Sequence, residues 1–233
     1  MDLQGAAGQI SLAEAAVHSL CVQLTAELSE LSRHFRNFAS EKETLNDPSD
    51  FGFLDECLLE GLLSRTWQVW CGFCRSCFMH SCMGTVTSRG SPVDRLPEAI
   101  SESHVSGAAI RAKRQSAPPF WVEPNTLLRK EPTWGDVDTL VVVISRIKPN
   151  NYDQLLATFS TVHKSAKAIQ NIRNCSAHNN AQTMSGVMDM MSSFIVFPIA
   201  HPTHAMFWLD PHSSDFLITH AIDDLIESTA EAL

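Results

Sequence analysis

The chain has 233 residues, of which 44% are hydrophobic and 18% are charged, and this composition excludes an intrinsically disordered protein. Its formal net charge of -9 argues against a protein that coats nucleic acid without specificity, because such binding requires many phosphate contacts from Lys and Arg. Seven cysteines, an odd number, fit free thiols in a reducing compartment better than a disulfide framework. The chain shows no export signal, and its longest apolar stretches, 137–144 and 194–200, are too short to cross a bilayer. We therefore expect a cytoplasmic protein with no membrane partner.

Two long helices are predicted in the first third of the chain. Residues 11 to about 43 carry apolar side chains at steps of three and four, which places these side chains on one helical stripe. The stripe consists of Val17, Leu20, Leu24, Leu28, Leu31, Phe35 and Phe38. The segment Asn46-Asp47-Pro48-Ser49 then breaks the pattern, and a second helix is predicted from about 50 to 83. Its inner stripe consists of Leu63, Trp67, Trp70, Cys74 and Cys77.

Residues 84–132 are punctuated by glycine and proline and sustain no period, which predicts a long irregular insertion. Arg111, Lys113 and Arg114 form the densest positive cluster in this acidic chain. The simpler interpretation of the insertion is a solvated loop. The alternative is that these three side chains form a substrate-binding arm that contacts phosphates near an active site.

Helical periodicity returns with Thr133 as a possible N-cap and Asp136 in the first turn. The run of β-branched residues at 140–144 would also suit a buried strand, but no partner strand is evident, and a helix is favoured. Lys148-Pro149-Asn150 is predicted to end this helix.

The next helix begins near Tyr152, and its apolar stripe leads to Arg173. Further helices are predicted at about 181–195 and from about residue 213. Together these elements predict an all-α protein, a helical bundle of about five to six helices in a single domain over residues 1–233.

Arg173 stands where the stripe predicts another apolar residue, and a guanidinium on a buried or interface stripe is unfavourable unless something pairs with it. Asn174 follows directly, and His178 comes five residues after Arg173, so a regular helix would point the side chains of Arg173 and His178 about 140° apart. Either the helix ends or distorts near Ala177, with Asn179-Asn180 suited to such an ending, or two copies of the segment meet and share one site.

An arginine followed by four residues and a histidine resembles the signature of the HEPN ribonucleases, the higher-eukaryote and prokaryote nucleotide-binding superfamily. Asn174 directly after the arginine and Ala177 directly before the histidine are frequent in that family as well. The resemblance covers six positions and the placement of the motif on a late helix, and the segments 84–132 and 196–212 have no counterpart in it. It implies a helical bundle that dimerises across the motif helices. It also implies a toxin or an effector of antiviral defence, controlled by a regulatory protein partner.

The activity implied by the resemblance is endonuclease cleavage of RNA with no metal and no cofactor. His178 is the candidate general acid or base, because imidazole titrates near neutral pH. Arg173 would brace the phosphate as negative charge develops, and Asn174 would orient the histidine or a phosphate oxygen. The 2′-hydroxyl of RNA would be the nucleophile. The products would then carry a 2′,3′-cyclic phosphate and a 5′-hydroxyl, and DNA would not be cut.

Four cysteines of the second predicted helix have a spacing that resembles a zinc or iron–sulfur site, with His80 as a spare ligand. These cysteines are Cys71, Cys74, Cys77 and Cys82. They fall between tryptophan and phenylalanine residues of a helix, where buried cysteine behaves as a small apolar residue. We therefore expect packing and no metal.

The histidines after residue 200 lie in or near a proline-containing loop with no acidic partner at a convincing spacing, and we interpret them as loop residues. They are His201, His204, His212 and His220. The competing class of function is a noncatalytic helical module that dimerises or binds a nucleotide through the same Arg173 and His178. In a purely structural interpretation of the motif, the side chain of Arg173 extends to water and His178 is a helix-terminal residue that the helix dipole favours.

Overall fold

The computed structural model describes residues 3–42, 44–47, 50–114, 124 and 127–232. The α-helices are α1 (Leu3–Ser40), α2 (Phe53–Met83), α3 (Glu102–Lys113), α4 (Val137–Ile147), α5 (Tyr152–Thr161), α6 (His163–Ala177), α7 (Ala181–Met188) and α8 (Leu217–Ala232). Short 3-10 helices occupy Leu128–Lys130, Met191–Ser193 and Pro202–Phe207, and β1 (Thr85–Val86) pairs antiparallel with β2 (Pro92–Val93). The predicted all-α class is confirmed, with more helices than expected. Across these ranges, no helix combines the length and the apolarity that crossing a bilayer requires.

The chain divides into two compact units. The described residues of the first unit fall within Met1–Leu24, Cys71–His163 and Ser228–Leu233, and those of the second within Thr25–Trp70 and Lys164–Glu227. The long helices α1 and α2 each contribute one part to each unit. The single domain expected from the sequence stays a prediction.

In the first unit, part of the segment predicted to be irregular has regular structure. The β1–β2 hairpin turns at Gly90, whose φ of 80° favours glycine, and α3 follows it. The buried face of α3 is made mostly of small residues: Val105, Ser106, Gly107, Ala108, Ala109 and Ala112. Small side chains give a weak hydrophobic period, so the sequence pattern did not indicate this helix. Residues 115–123 and 125–126 of the predicted insertion lie outside the described residues.

A buried carboxylate, Glu131, ties three elements of the first unit together. It accepts hydrogen bonds from Arg75 of α2 (Nε, 2.9 Å), from Ser106 of α3 (Oγ, 2.7 Å) and from the Trp134 indole (Nε1, 2.7 Å). Burial by itself would raise the pKa of the Glu131 carboxyl, but these hydrogen bonds outweigh it, and the pKa lies below its ordinary value. Glu131 is therefore a charged anchor for the chain between α3 and α4.

Helix α4 begins one residue after Asp136, which is its N-cap rather than a first-turn residue. The Asp136 side chain accepts from the backbone N–H of Thr139 at 3.4 Å, so the predicted cap at Thr133 is wrong. The segment is helical, and the strand alternative is not realised. Lys148 ends α4 in the left-handed region with a φ of 54°, and Pro149 follows, as the sequence predicted.

The helix predicted to run from Tyr152 past Arg173 is two helices, α5 and α6, separated at Val162. Val162 is itself buried, and buried Phe159 and Ala166 continue the apolar stripe in phase on either side of it. The hydrophobic pattern therefore continues across Val162 and does not indicate that the helix is interrupted there.

An aromatic cluster forms the core of the second unit. The ring centroid of Phe35 on α1 lies 4.8 Å from that of Phe207 and 5.6 Å from that of Phe216. The ring of Phe51 lies 5.1 Å from that of Phe207. Phe207 and Phe216 belong to the loop and 3-10 turns between α7 and α8, which leave both helices shorter than predicted. This core holds the loop that carries His201 and His204.

Candidate active site at the end of α6

Helix α6 ends at Ala177, directly before the histidine of the motif. The backbone N–H of His178 still donates to the Asn174 carbonyl at 2.9 Å, while the His178 carbonyl accepts from Asn180 Nδ2 (2.8 Å) and Thr183 Oγ1 (2.7 Å). Asn180 then caps α7, because its Oδ1 accepts from the backbone N–H of Thr183 at 3.1 Å. Of the two alternatives that the sequence left open, the structure has a helix that ends near Ala177, and Asn180 is the N-cap of the next helix.

Arg173 lines a cleft of about 180 Å³ within the second unit. The other lining residues are Ser176 and Ala177 of α6 and Glu60, Leu63 and Ser64 of α2. Arg173 is half-buried and donates from Nη1 to Asn174 Oδ1 at 3.2 Å; in the described ranges no carboxylate forms a salt bridge with it. Since a guanidinium has five N–H donors, the described part of the chain uses only a small share of its hydrogen-bonding capacity.

The structure brings Arg173 and Asn174 together, but it places His178 elsewhere. His178 is exposed beyond the end of α6 and is not among the residues that line the cleft. The Asn174 side chain contacts Arg173 rather than the imidazole. Ser176, which the sequence did not single out, borders the cleft with a buried hydroxyl that has no hydrogen-bond partner in the described part of the chain.

The three predicted substrate-binding cations belong to the first unit. Arg111 and Lys113 lie in the last turn of α3, and Arg114 is its C-cap. Arg111 is half-buried, whereas Lys113 and Arg114 are exposed. They form a basic end of a helix, and their role in binding stays a prediction.

A carboxylate and an imidazole that the sequence did not connect meet beside the cleft. Oε1 of Glu60 lies 3.5 Å from Nε2 of His201. His201 is the N-cap of the 3-10 helix Pro202–Phe207 and accepts through its ring from the backbone N–H of Thr203. Sequence reasoning treated His201 as a loop residue because its acidic partner lies on α2, far away along the chain.

A second acid–histidine pair lies one turn earlier on α2. His204 is 1% exposed, its ring stacks on Phe51 at 4.5 Å, and its Nε2 lies 3.6 Å from Oε1 of Glu56. Burial, followed by the nearby His201, lowers the pKa of His204, and Glu56 acts in the opposite direction. His204 is therefore a neutral core histidine.

Three of the four clustered cysteines of α2, Cys74, Cys77 and Cys82, are packing residues in this structure. Cys74, Cys77 and Cys82 are buried, and burial raises the pKa of each thiol well above that of free cysteine. Cys71 is half-buried. Within the described ranges, no group of three or more His, Cys, Asp or Glu side chains is arranged to hold a metal ion.

Comparison of the chain with protein-family profiles, curated proteins and solved structures gives no match. The resemblance to HEPN ribonucleases therefore depends on the six-residue motif and on the all-α class.

Proposed function

We propose that the chain is a metal-independent endoribonuclease of the HEPN type that acts in the cytoplasm as a homodimer. The observation that carries this proposal is the Arg173 guanidinium, which is half-buried in a cleft and shares only one of its donors with another side chain in the described ranges. Such a guanidinium is suited to bind a phosphate through its planar fork of donors. Asn174 fixes its orientation.

The chemistry follows from placing the scissile phosphate of RNA against Arg173. The 2′-hydroxyl attacks the phosphorus, the bond to the 5′-oxygen breaks, and Arg173 stabilises the charge on the non-bridging oxygens. His178 exchanges a proton with one of the reacting oxygens as general acid or base. The products carry a 2′,3′-cyclic phosphate and a 5′-hydroxyl. A strand with 2′-deoxyribose at the cleavage position is not cut.

The exposed position of His178 outside the cleft lining supports a site shared by two subunits. In such a dimer, Arg173 of one subunit and His178 of the other converge on one phosphate. Arg111, Lys113 and Arg114 are proposed to bind phosphates of the RNA. Because free nuclease activity harms the host cell, we place the protein among toxins or antiviral effectors that a regulatory protein partner controls.

The proposal is tested by incubating the purified protein with single-stranded RNA in the presence of a chelator. Arg173→Ala should reduce kcat by about 10²–10³, as expected for loss of a transition-state donor. His178→Ala should reduce kcat by about 10²–10⁴, as expected for loss of an acid or base. Arg65→Ala and His212→Ala, both exposed, serve as matched controls with unchanged rates. Absence of cleavage by the parent protein, or full cleavage by both motif variants, would contradict the proposal.

Mixing the two inactive variants tests the shared site. When Arg173→Ala and His178→Ala subunits exchange at random, half of the dimers are mixed, and each mixed dimer has one intact site. We therefore expect recovery of about a quarter of the parent activity. No recovery would place both side chains of a working site in one subunit. The competing noncatalytic module would instead bind nucleotide or RNA in an Arg173-dependent way with no cleavage under any condition.

A further inference from the structure

We propose that Glu60 is a catalytic residue of the same cleft, the general base for the 2′-hydroxyl, and that His201 positions it. This inference rests on the ribonuclease function proposed above. Its starting point is a feature that the motif does not explain, namely that the cleft beside Arg173 also contains a carboxylate from α2.

Glu60 and Arg173 line one cleft without forming a salt bridge. In the described ranges, the Arg173 guanidinium bonds to Asn174, and the charged or titratable group that approaches Glu60 is His201. The Glu60 side chain is 42% exposed, so its carboxylate is accessible to a bound molecule. In the described ranges, a guanidinium with no carboxylate partner and an accessible carboxylate whose neighbour is His201 line one cleft, and they provide the two elements that phosphate binding and proton abstraction require.

The ring of His201 is held between Thr203 and Glu60. Nδ1 of His201 lies 2.8 Å from Thr203 Oγ1 and accepts from the backbone N–H of Thr203 at 3.4 Å, so Thr203 holds one edge of the ring and the other edge faces Glu60. Nε2 is the nitrogen that lies 3.5 Å from Glu60 Oε1. The capped 3-10 turn fixes the ring, and the ring in turn limits the rotamers of Glu60. His201 therefore acts through Glu60 and not on the substrate.

The neighbouring acid–histidine pair supplies the control. Glu56 stands one turn earlier on the same helix and faces His204, but it does not line the cleft. Both residues are glutamates on α2, and each of them faces a different histidine. They differ in that Glu60 lines the cleft and Glu56 does not.

In the proposed step, Glu60 acts on the 2′-hydroxyl and His178 acts on the leaving 5′-oxygen. Glu60 takes the proton of the 2′-hydroxyl as the 2′-oxygen bonds to phosphorus. The bond between phosphorus and the 5′-oxygen breaks, and the leaving oxygen takes a proton from protonated His178. The net change is transfer of one proton from the 2′-oxygen to the 5′-oxygen, and water exchange restores Glu60 and His178. This assignment makes His178 the general acid.

The test uses two RNA substrates that differ in the leaving atom, a normal 5′-oxygen and a bridging 5′-sulfur. A sulfur leaving group needs no proton. The rate lost by removing a general acid is therefore restored with this substrate, whereas the rate lost by removing a general base is not. We expect Glu60→Gln to reduce kcat by about 10²–10⁴ on both substrates and His178→Ala to be rescued by sulfur. His201→Ala should reduce both rates about tenfold, the effect of losing one modest hydrogen bond, and should add nothing to Glu60→Gln. Glu56→Gln should cut both substrates at the parent rate.

Three outcomes would overturn the inference: parent-like rates for Glu60→Gln, rescue of Glu60→Gln by sulfur, or an equal loss in Glu56→Gln. Thermal unfolding and binding of an uncleavable 2′-deoxy strand establish that each variant is folded. If Glu60→Gln does not fold, Glu60→Asp, which retracts the carboxylate by one methylene, must lose rate on both substrates. Failure of the parent protein to cut RNA would instead refute the ribonuclease function itself. Cleavage that needs Arg173 and His178 but not Glu60 would refute only this assignment.

Discussion

Glu131, a buried carboxylate shortly before α4, bonds to Arg75, Ser106 and Trp134, and removing it should destabilise the protein markedly. The Glu131 side chain is 7% exposed and accepts four hydrogen bonds, two of them from Arg75. Removing one partner of a buried pair costs about 3–5 kcal/mol. Arg75 is 27% exposed and keeps a contact with Glu102, so we expect Glu131→Ala to lower the free energy of unfolding by about 3 kcal/mol, the lower end of that range. Glu131→Gln keeps an acceptor of similar shape and should cost about 1–2 kcal/mol.

Urea unfolding followed by tryptophan fluorescence measures these differences. Glu102→Gln is the matched control, because Glu102 contacts the same arginine at 3.2 Å but is 58% exposed. Exposed ion pairs contribute about 0–1 kcal/mol, so this control should change stability little. Equal destabilisation by Glu131→Ala and Glu102→Gln would refute the reasoning, since the expected difference comes entirely from burial.

The same carboxylate gives a pH signature. Because the pKa of Glu131 in the folded protein is below its ordinary value, its contribution is complete above the unfolded pKa of about 4.3 and is lost as the pH falls through the folded value. The stability difference between the parent protein and Glu131→Gln should therefore shrink below about pH 4. A difference that stays constant from neutral to acidic pH would show that the carboxylate charge contributes nothing.

Three further predictions test other parts of the molecule. The pKa of His204 is lowered in the folded protein, so its contribution to protein stability is lost as the pH falls from about 6.5 through the folded value. His204→Phe should therefore flatten that part of the profile of thermal stability against pH. Cys57 is exposed and should react with a thiol reagent in the folded protein, and Cys57→Ser should abolish this fast reaction. The buried thiols of Cys74, Cys77 and Cys82 should react only when the protein unfolds. Asn180→Ala removes the cap of α7 and should lower the free energy of unfolding by about 1 kcal/mol in urea, with exposed Asn179→Ala as a neutral control.

The sequence determined those features that depend on neighbours along the chain. The stripes of α1 and α2 are buried where the period placed them, as Leu28 and Trp70 illustrate with no measurable exposure, except that Leu20 and Leu31 are half-buried. The end of α6 at Ala177 was one of the two alternatives that the sequence offered, because Asn179-Asn180 suits the ending of a helix. In each case the residues on which the prediction depends lie within a few positions of the predicted feature.

Tertiary structure decided what depends on contacts between distant segments. The apolar stripe runs unbroken through Val162, so only the folded chain shows that α5 and α6 are separate helices. Glu60 and His201 meet because the part of α2 up to Trp70 and the loop after α7 belong to one unit, which no local pattern encodes. A hydrophobic period records that one side of a helix is buried, but it does not record which segment covers that side. The motif was therefore visible in the sequence, whereas the cleft around Arg173 and the carboxylate within it came from the fold alone.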